Sequence, residues 1–494
     1  MFKRFVAKIR EVLAKMNLIK SIENISEHKD IYVNEKMYQK IDEWKALYKG
    51  YFEEIHQIKY HTIDGQKTRR MLTLNMPKVA AEEMASLIFN EKCEISISNE
   101  GLKEFIIDDV FRKNNFNRNF QIYIEYMMAY GGMVIKPFVK DDQIKLSFVT
   151  ADCFIPIEYD NSGIRGGVFL NEFRKGKDKY THLEWHVWDN GQYIIKNEVY
   201  KSQNGDDLGV KVALKSIYPE LEEEVPIEHL DRPLFVYFKP NLANNIDTHS
   251  PLGVSLYANS LDVIKAIDTA FDSFEREFRL GKKRIIVPAQ MVKTVVDPQS
   301  GNHYRYFDAN DETYEAFNNS GNMDADTIKD INIELRVEEH IAAINTLLNL
   351  FAMQTGFSAG TFSFDGQSMK TATEVVSEQS KTFKSKKSHE IIIEAGLQEL
   401  IDVIVKLAQL YNIHNTTEEY DVSVAFDDSV AEDKNAEINK QIQMINGKIQ
   451  SKKRAIMKVH GLTEEEAMKL LEEINEENAT AVAESIDFFG GRGD

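Results

Sequence analysis

Two amphipathic stripes constrain what this 494-residue chain can fold into. Over 255–280, Tyr257, Leu261, Ile264, Ile267, Phe271, Phe274 and Phe278 step by three or four residues. Asp262, Lys265, Asp268, Asp272, Glu275, Arg276 and Arg279 fall on the other faces. The spacing predicts one continuous helix of about 39 Å. Gly281 ends it, and Lys282, Lys283 and Arg284 follow at the negative end of the dipole. A second stripe, Ile341, Ile344, Leu347, Leu348 and Phe351, predicts a helix over 337–355. Between them, Ile285 to Arg336 reads as a small β-rich insertion, with a turn at Asp297-Pro298-Gln299-Ser300-Gly301. A lone chain would struggle to bury such stripes while projecting a separate domain from their ends. Packing against copies of itself in a closed ring satisfies every subunit identically.

Upstream, 30–240 reads as one α+β domain. Helical patterns fill 35–90, apart from a hairpin-like stretch near Asp64-Gly65, and continue over 102–130. The period then changes to two. Asp141-Asp142 turns one hairpin, and Asn190-Gly191, which supplies the positive φ that a tight turn needs, turns the clearest one. LFVYFK near Pro240 closes the region. Downstream, GFSAGTFSFDGQSMK at 356–370 alternates Gly, Ser and Phe, and neither helix nor strand accounts for it. Thr371 or Thr373 caps the next helix, which runs to about Tyr411, and 420–427 is one more strand. Residues 1–29 form a basic amphipathic arm suited to a membrane surface, an acidic partner or its own protein. Residues 431–494 are charged and helical.

Most chemistry is excluded by what is missing. Gly281-Lys282-Lys283 lacks the rest of a phosphate loop, and no G-x-G-x-x-G follows a strand. His182, Glu184 and His186 share a strand face rather than the helical spacing of a zinc protease, so a solvated or interface face is expected. Asp427, Asp428, Glu432 and Asp433 suit a capping loop better than a magnesium-binding carboxylate cluster. No catalytic residue, metal or cofactor is expected. Cys93 and Cys153 cannot build a disulfide framework, which fits a reducing cytoplasm. No run of about 18 apolar residues exists, so no membrane span or membrane partner is expected. A net charge of −19 argues against tight or sequence-reading DNA contact.

The stretch AFDSFEREFRLGKKRIIVP (270–288), followed by RVEEHIAAINTLLNLFAMQTGFSAGTFSFDGQSMKTATEVVSEQSKTF (336–383), resembles the portal proteins of tailed bacteriophages, in the subgroup from phages of Gram-positive hosts. The similarity extends over about 30–430. The resemblance implies an α+β ring subunit with long stem helices, a small β-rich clip insertion, a mixed wing and a helical crown. After the arm at 1–29 it places the wing at 30–250, stem helix 1 at 251–282, the clip at 283–336 and stem helix 2 at 337–356. The channel (tunnel) loop falls at 357–370, the long wing helix and returning strand at 371–430, and the crown and tail at 431–494.

Such rings are typically dodecameric and sit at one capsid vertex of the virion, after assembly in the host bacterial cytoplasm. The resemblance therefore implies self-association and non-specific passage of double-stranded DNA driven by a terminase. It also implies contacts with the major capsid, scaffolding and head-completion (adaptor) proteins. Loop residues Thr361, Phe362, Ser363, Phe364, Asp365 and Lys370 would face the DNA. Lys282, Lys283 and Arg284 would touch phosphates or close a helix end. Ile264, Ile267, Phe271, Phe274 and Phe278 would pack the stem. Acidic walls suit a conduit, because DNA must slide rather than be gripped. The alternatives are a DNA-packaging enzyme (terminase or nuclease), for which the motifs are missing, and a head or connector protein without a DNA channel.

Overall fold

The structure, a computed structural model, describes residues 35–62, 65–202, 209–228, 230–281, 284–286, 293–296, 303–306, 329–331, 334–363, 380–415, 419–427, 434–460 and 467–474. Helix α1 (Glu35–Tyr48) leads to hairpin β1 (Gln57–Thr62) and β2 (Gly65–Arg70), then α2 (Met76–Ile88), β3 (Glu94–Ile97) and α3 (Phe116–Tyr130). An antiparallel run follows: β4 (Met133–Lys140), β5 (Gln143–Thr150), β6 (Phe154–Asp160), β7 (Gly163–Lys175), β8 (Asp178–Asp189) and β9 (Gln192–Ser202). Short strands β10 (Val210–Val212), β11 (Glu224–Ile227) and β12 (Val236–Phe238) complete it. Beyond α4 (Leu261–Leu280) come β13 (Arg284–Ile286), β14 (Lys293–Val296), β15 (His303–Tyr306) and β16 (Lys329–Ile331). The chain continues through α5 (Val337–Gln354), α6 (Ser380–Leu410), β17 (Val422–Ala425), α7 (Lys434–Asn446) and α8 (Lys452–His460).

These elements fall into two compact units. One takes the described residues up to Phe52, Asn75–Leu261 and those from Asn349 onward; the other takes Glu53–Leu74 and Asp262–Leu348. Glu53–Leu74 thus clusters apart from the 30–250 domain in which its sequence position puts it.

In the first unit, local turn chemistry sets strand pairing. Asn190 and Gly191 hold φ of 51° and 81°, so Asp189 pairs with Gln192. Asp141 and Asp142, at 51° and 54°, do the same between β4 and β5. One sheet has the order β12–β4–β5; the larger runs β10–β9–β8–β7–β6, with β11 also on β9. Val134, Phe154, Phe169 and Phe235 join the two sheets in one buried cluster. The outer edge of β5 is closed locally: the Asn114 amide donates to Ile144 O at 2.9 Å and accepts from Leu146 N at 3.1 Å.

The stripe helix is shorter than its sequence period suggests. It begins at Leu261, and 251–260 is irregular. The cause is tertiary: Leu256 N donates to Met128 O at 2.8 Å, and the fully buried Tyr257 donates its hydroxyl to Trp44 O at 2.9 Å. Gly131, at φ 84°, ends α3, and a Cβ there would lie 2.7 Å from Gly253 O. The Leu256 amide therefore bonds to α3 instead of to its own turn.

Helix α6 buries Ile393, Leu397, Leu400, Ile401 and Ile404 at helical spacing against β4 and β12. His389, 3% exposed, accepts at Nδ1 from Asn241 N (3.1 Å), and burial pushes its imidazole down to about 4. The unfolded chain protonates this histidine first, near pH 6.5. Its contribution to stability is therefore present at neutral pH and declines as pH falls from about 6.5 towards about 4. Urea titrations over that window should show a smaller decline for His389→Gln than for the unsubstituted chain.

Candidate functional site

The second unit is organised by α4. Ile264 and Ile267 are buried, as the stripe predicts, but so are Asp268 (2% exposed) and Asp272 (4%), which the sequence places on other faces. Residues 264, 268 and 272 form one i,i+4 row, flanking the row of Ile267 and Phe271. Asp268 accepts from Leu74 N (2.9 Å) and Thr73 Oγ1 (3.0 Å), and lies 3.0 Å from His56 Nε2. Asp272 takes a two-pronged contact from Arg69, at 2.7 and 2.6 Å, and accepts from Leu72 N at 3.2 Å. Hydrogen bonds from Arg69, aided by Leu72 N, hold the Asp272 carboxyl below the usual carboxylate range. Hairpin β1–β2 and the strand-like run after it are thus bolted to the helix.

Phe271 and Phe274 are half-buried, whereas Phe278 is 45% exposed with its ring edge-on to Phe274 at 5.0 Å. Glu277 ties the end of α4 to the start of α5: it accepts from Arg336 N and Nε at 2.9 and 3.1 Å, and lies 2.5 Å from His340 Nε2. The Arg336 guanidinium, with the Arg336 amide and His340, lowers its carboxyl to about 2. Lys282 and Lys283 lie outside the described residues, and Arg284 opens β13, opposite Ile331.

The loop read as unusual has an ordered base in the first unit. Gly356, at φ 84°, lets Phe357 N donate to Ala352 O at 2.8 Å, which closes the C-terminus of α5. A side chain there would collide with Ser385 Oγ, 2.4 Å from the added Cβ. Two buried hydroxyls then clasp the chain to α6. Ser358 N donates to Thr382 Oγ1 at 2.8 Å, and Thr382 N donates to Ser358 Oγ at 3.2 Å. Gly360 N donates to Asn349 Oδ1 at 2.7 Å, and Lys381 reaches Met353 O. Thr361 donates to Ser358 O, and Ser363 to Gly360 O, both through their side chains. Phe362 is half-buried against its own chain, 5.0 Å from the Phe357 ring and 5.9 Å from Phe351. Phe364, Asp365, Lys370 and the capping candidates Thr371 and Thr373 lie outside the described residues.

The strand histidines are not on a solvated face. His182 and His186 are 6% and 1% exposed. Leu234 N donates to Tyr193 Oη (3.0 Å), which lies 2.6 Å from His186 Nδ1; His186 Nε2 meets Glu184 at 2.8 Å. Lys136 reaches the same carboxylate at 2.5 Å. Burial would raise the Glu184 carboxyl, but Lys136 and His186 outweigh it and the net shift is downward. His182 Nε2 sits 3.0 Å from Asn197 Oδ1. With a carboxylate able only to accept, His186 donates from Nε2 and accepts the hydrogen bond of the Tyr193 hydroxyl at Nδ1. Such a closed network suits a structural role. Asp427 engages Asn90 and Lys92, each at 3.3 Å, while Asp428, Glu432 and Asp433 lie outside the described residues. Burial pushes the Cys153 thiol up to about 11, away from thiolate reactivity. Among the described residues, no group of histidines, cysteines and carboxylates is placed to hold a metal.

A family model described as "Phage portal protein, SPP1 Gp6-like" matches residues 27–480, nearly the whole chain. The chain belongs to the phage portal protein family. No curated protein sequence matches significantly. Among solved structures, "Neck of empty GTA particle computed with C6 symmetry" is 10% identical, with a TM-score of 0.42, over 78% of this chain and 89% of that one. By the family match, this chain is a bacteriophage portal protein and a component of the virion.

The hydroxyl clasp of this portal protein has no sequence signature, because Ser358 and Thr382 look like two more small polar residues. Thr382→Val keeps the shape and strands the Ser358 amide, which costs about 1–3 kcal/mol. Thermal melting should show that loss for the valine variant and near-complete recovery for Thr382→Ser.

Proposed function

We propose that the chain forms a ring, of about twelve copies, through which double-stranded DNA is packaged by a terminase, retained and later released. The match to the portal family over 27–480 carries this reading. In it, the ring also serves as the hub for capsid, scaffolding and head-completion proteins, and performs no catalysis. Residues 30–250 with α6 and β17 form the wing, α4 and α5 the stem, 283–336 the clip and 431–494 the crown; Glu53–Leu74 goes with the stem.

Two features support it. Phe278, Leu280 and Leu335 leave large apolar surface exposed in the isolated chain, at 45%, 47% and 40%, which a laterally packed copy would bury. Ile264 and Ile267 pack inside the subunit, so Phe271, Phe274 and Phe278 are the stem residues proposed to meet the neighbour. The clasped base then presents the channel loop to the DNA, with Thr361, Phe362, Ser363, Phe364, Asp365 and Lys370 as its contacts. Phe362 leans on Phe351 and Phe357 within its own chain. Lys282, Lys283 and Arg284 are proposed to meet phosphates or the adjoining subunit. A chain of charge −19 provides walls that repel a polyanion, so contacts stay transient.

Class-averaged end-on electron micrographs of the purified protein should show a ring with an axial opening, and mass measurement in solution should give a single oligomer. A monomer at every concentration and ionic strength overturns the reading. Phe278→Asp should leave the monomer folded, as judged by circular dichroism, and reduce ring yield several-fold.

A further inference from the structure

In a chain with net charge −19, hairpin β1–β2 has the opposite character. Its described residues include Lys59, Lys67, Arg69 and Arg70 and no acidic residue. Register divides them between two faces: Ile58 pairs with Arg69 and Tyr60 with Lys67, whereas Gln57 pairs with Arg70, Lys59 with Thr68 and His61 with Gln66. Arg69 reaches Asp272 on α4, so the Ile58–Tyr60 face looks towards the helix and the Lys59–Arg70 face looks away from it. On the outward face Lys59, His61 and Arg70 are all exposed. The bolt to Asp268 and Asp272 fixes this basic face on a rigid support.

The same unit carries the complement. Glu334, Glu338 and Glu339 are exposed at the entry and first turn of α5, where the helix dipole favours negative charge. Arg336, exposed among them, is already paired with Glu277, so the surface stays acidic. In a head-to-tail ring each copy offers both halves of one contact, and two oppositely charged surfaces on one unit can serve as those halves. We infer that the outward face of hairpin β1–β2, through Lys59 and Arg70, docks on the acidic start of α5 in a second copy of this chain. The inference rests on the ring reading and adds to it which surfaces meet. A second copy is favoured over a nucleic-acid phosphate backbone because the complementary carboxylates stand on the same unit. A basic face turned to the duplex would also add the grip that a conduit avoids.

Charge swapping in the full-length chain tests this. Lys59→Glu with Arg70→Glu should raise the concentration for half-maximal ring assembly at least tenfold at low salt, and Glu338→Lys with Glu339→Lys should do the same. The two variants mixed in equal amounts should co-assemble, because each interface then pairs opposite charges again; this also shows that both are folded. Rings of the hairpin variant that form as readily as wild type overturn the inference, and so does a mixture that fails to assemble. Rings that form normally but lose affinity for a duplex of random sequence would point to a nucleic-acid partner and also overturn it. A wild-type chain that never assembles overturns the ring reading itself, whereas the other failures leave that reading standing.

Discussion

The second unit depends on two carboxylates buried in a helix that reads as simply amphipathic. An unpaired buried carboxylate is costly, so Asp268 and Asp272 persist only because a complete set of donors meets them. Those donors are the backbone amides of Leu72 and Leu74, the Thr73 hydroxyl, His56 and Arg69. The amides come from the run that leaves β2, a segment with no ladder partner of its own. The helix supplies acceptors, the hairpin's exit supplies donors, and each satisfies the other. Apolar packing would tolerate a range of rotations about the helix axis. Directional bonds at two successive turns permit one, and they set the way that hairpin β1–β2 faces.

The first unit shows the same economy of donors and acceptors at its turns. α5 stops where Gly356 allows its last carbonyls to be paired, and α6 opens where Thr382 and Ser358 exchange bonds. Between them, Phe351, Phe357 and Phe362 form a small aromatic cluster that fills the corner. The start of the loop is therefore held by the helices on either side of it, independent of anything the loop meets. In the same unit, Glu184 on β8 is kept ionised inside the protein by Lys136 and His186, and Tyr193 completes the chain of partners.

What could be read from the sequence follows from how far each cause acts. The Asn190-Gly191 turn was legible because positive φ is a demand on two adjacent residues. The two stripe helices were legible because Ile264 and Ile267, or Ile344 and Leu348, repeat within a few turns. Asp268 was not, because its partner Leu74 lies 194 residues away and an aspartate beside an apolar row looks solvated. The start of α4 is hidden for a similar reason: the period continues back to Tyr257, but the Met128 carbonyl captures the Leu256 amide. His182 and His186 were correctly placed on one strand face, yet period two cannot say whether that face is wet. Of the channel-loop candidates, Phe362 is named by the resemblance, which gives no sign of its inward lean on Phe357.

Asn114 has a consequence beyond its own neighbourhood. A single amide that both donates to Ile144 and accepts from Leu146 imitates one rung of a neighbouring strand. It occupies the edge where a foreign strand would begin to zip on. Wherever many identical chains crowd together, that matters more than the fraction of a kilocalorie gained within one molecule. Any association between copies is then turned away from this edge of β5, which would otherwise pair with almost any extended backbone, and towards surfaces that discriminate by shape and charge.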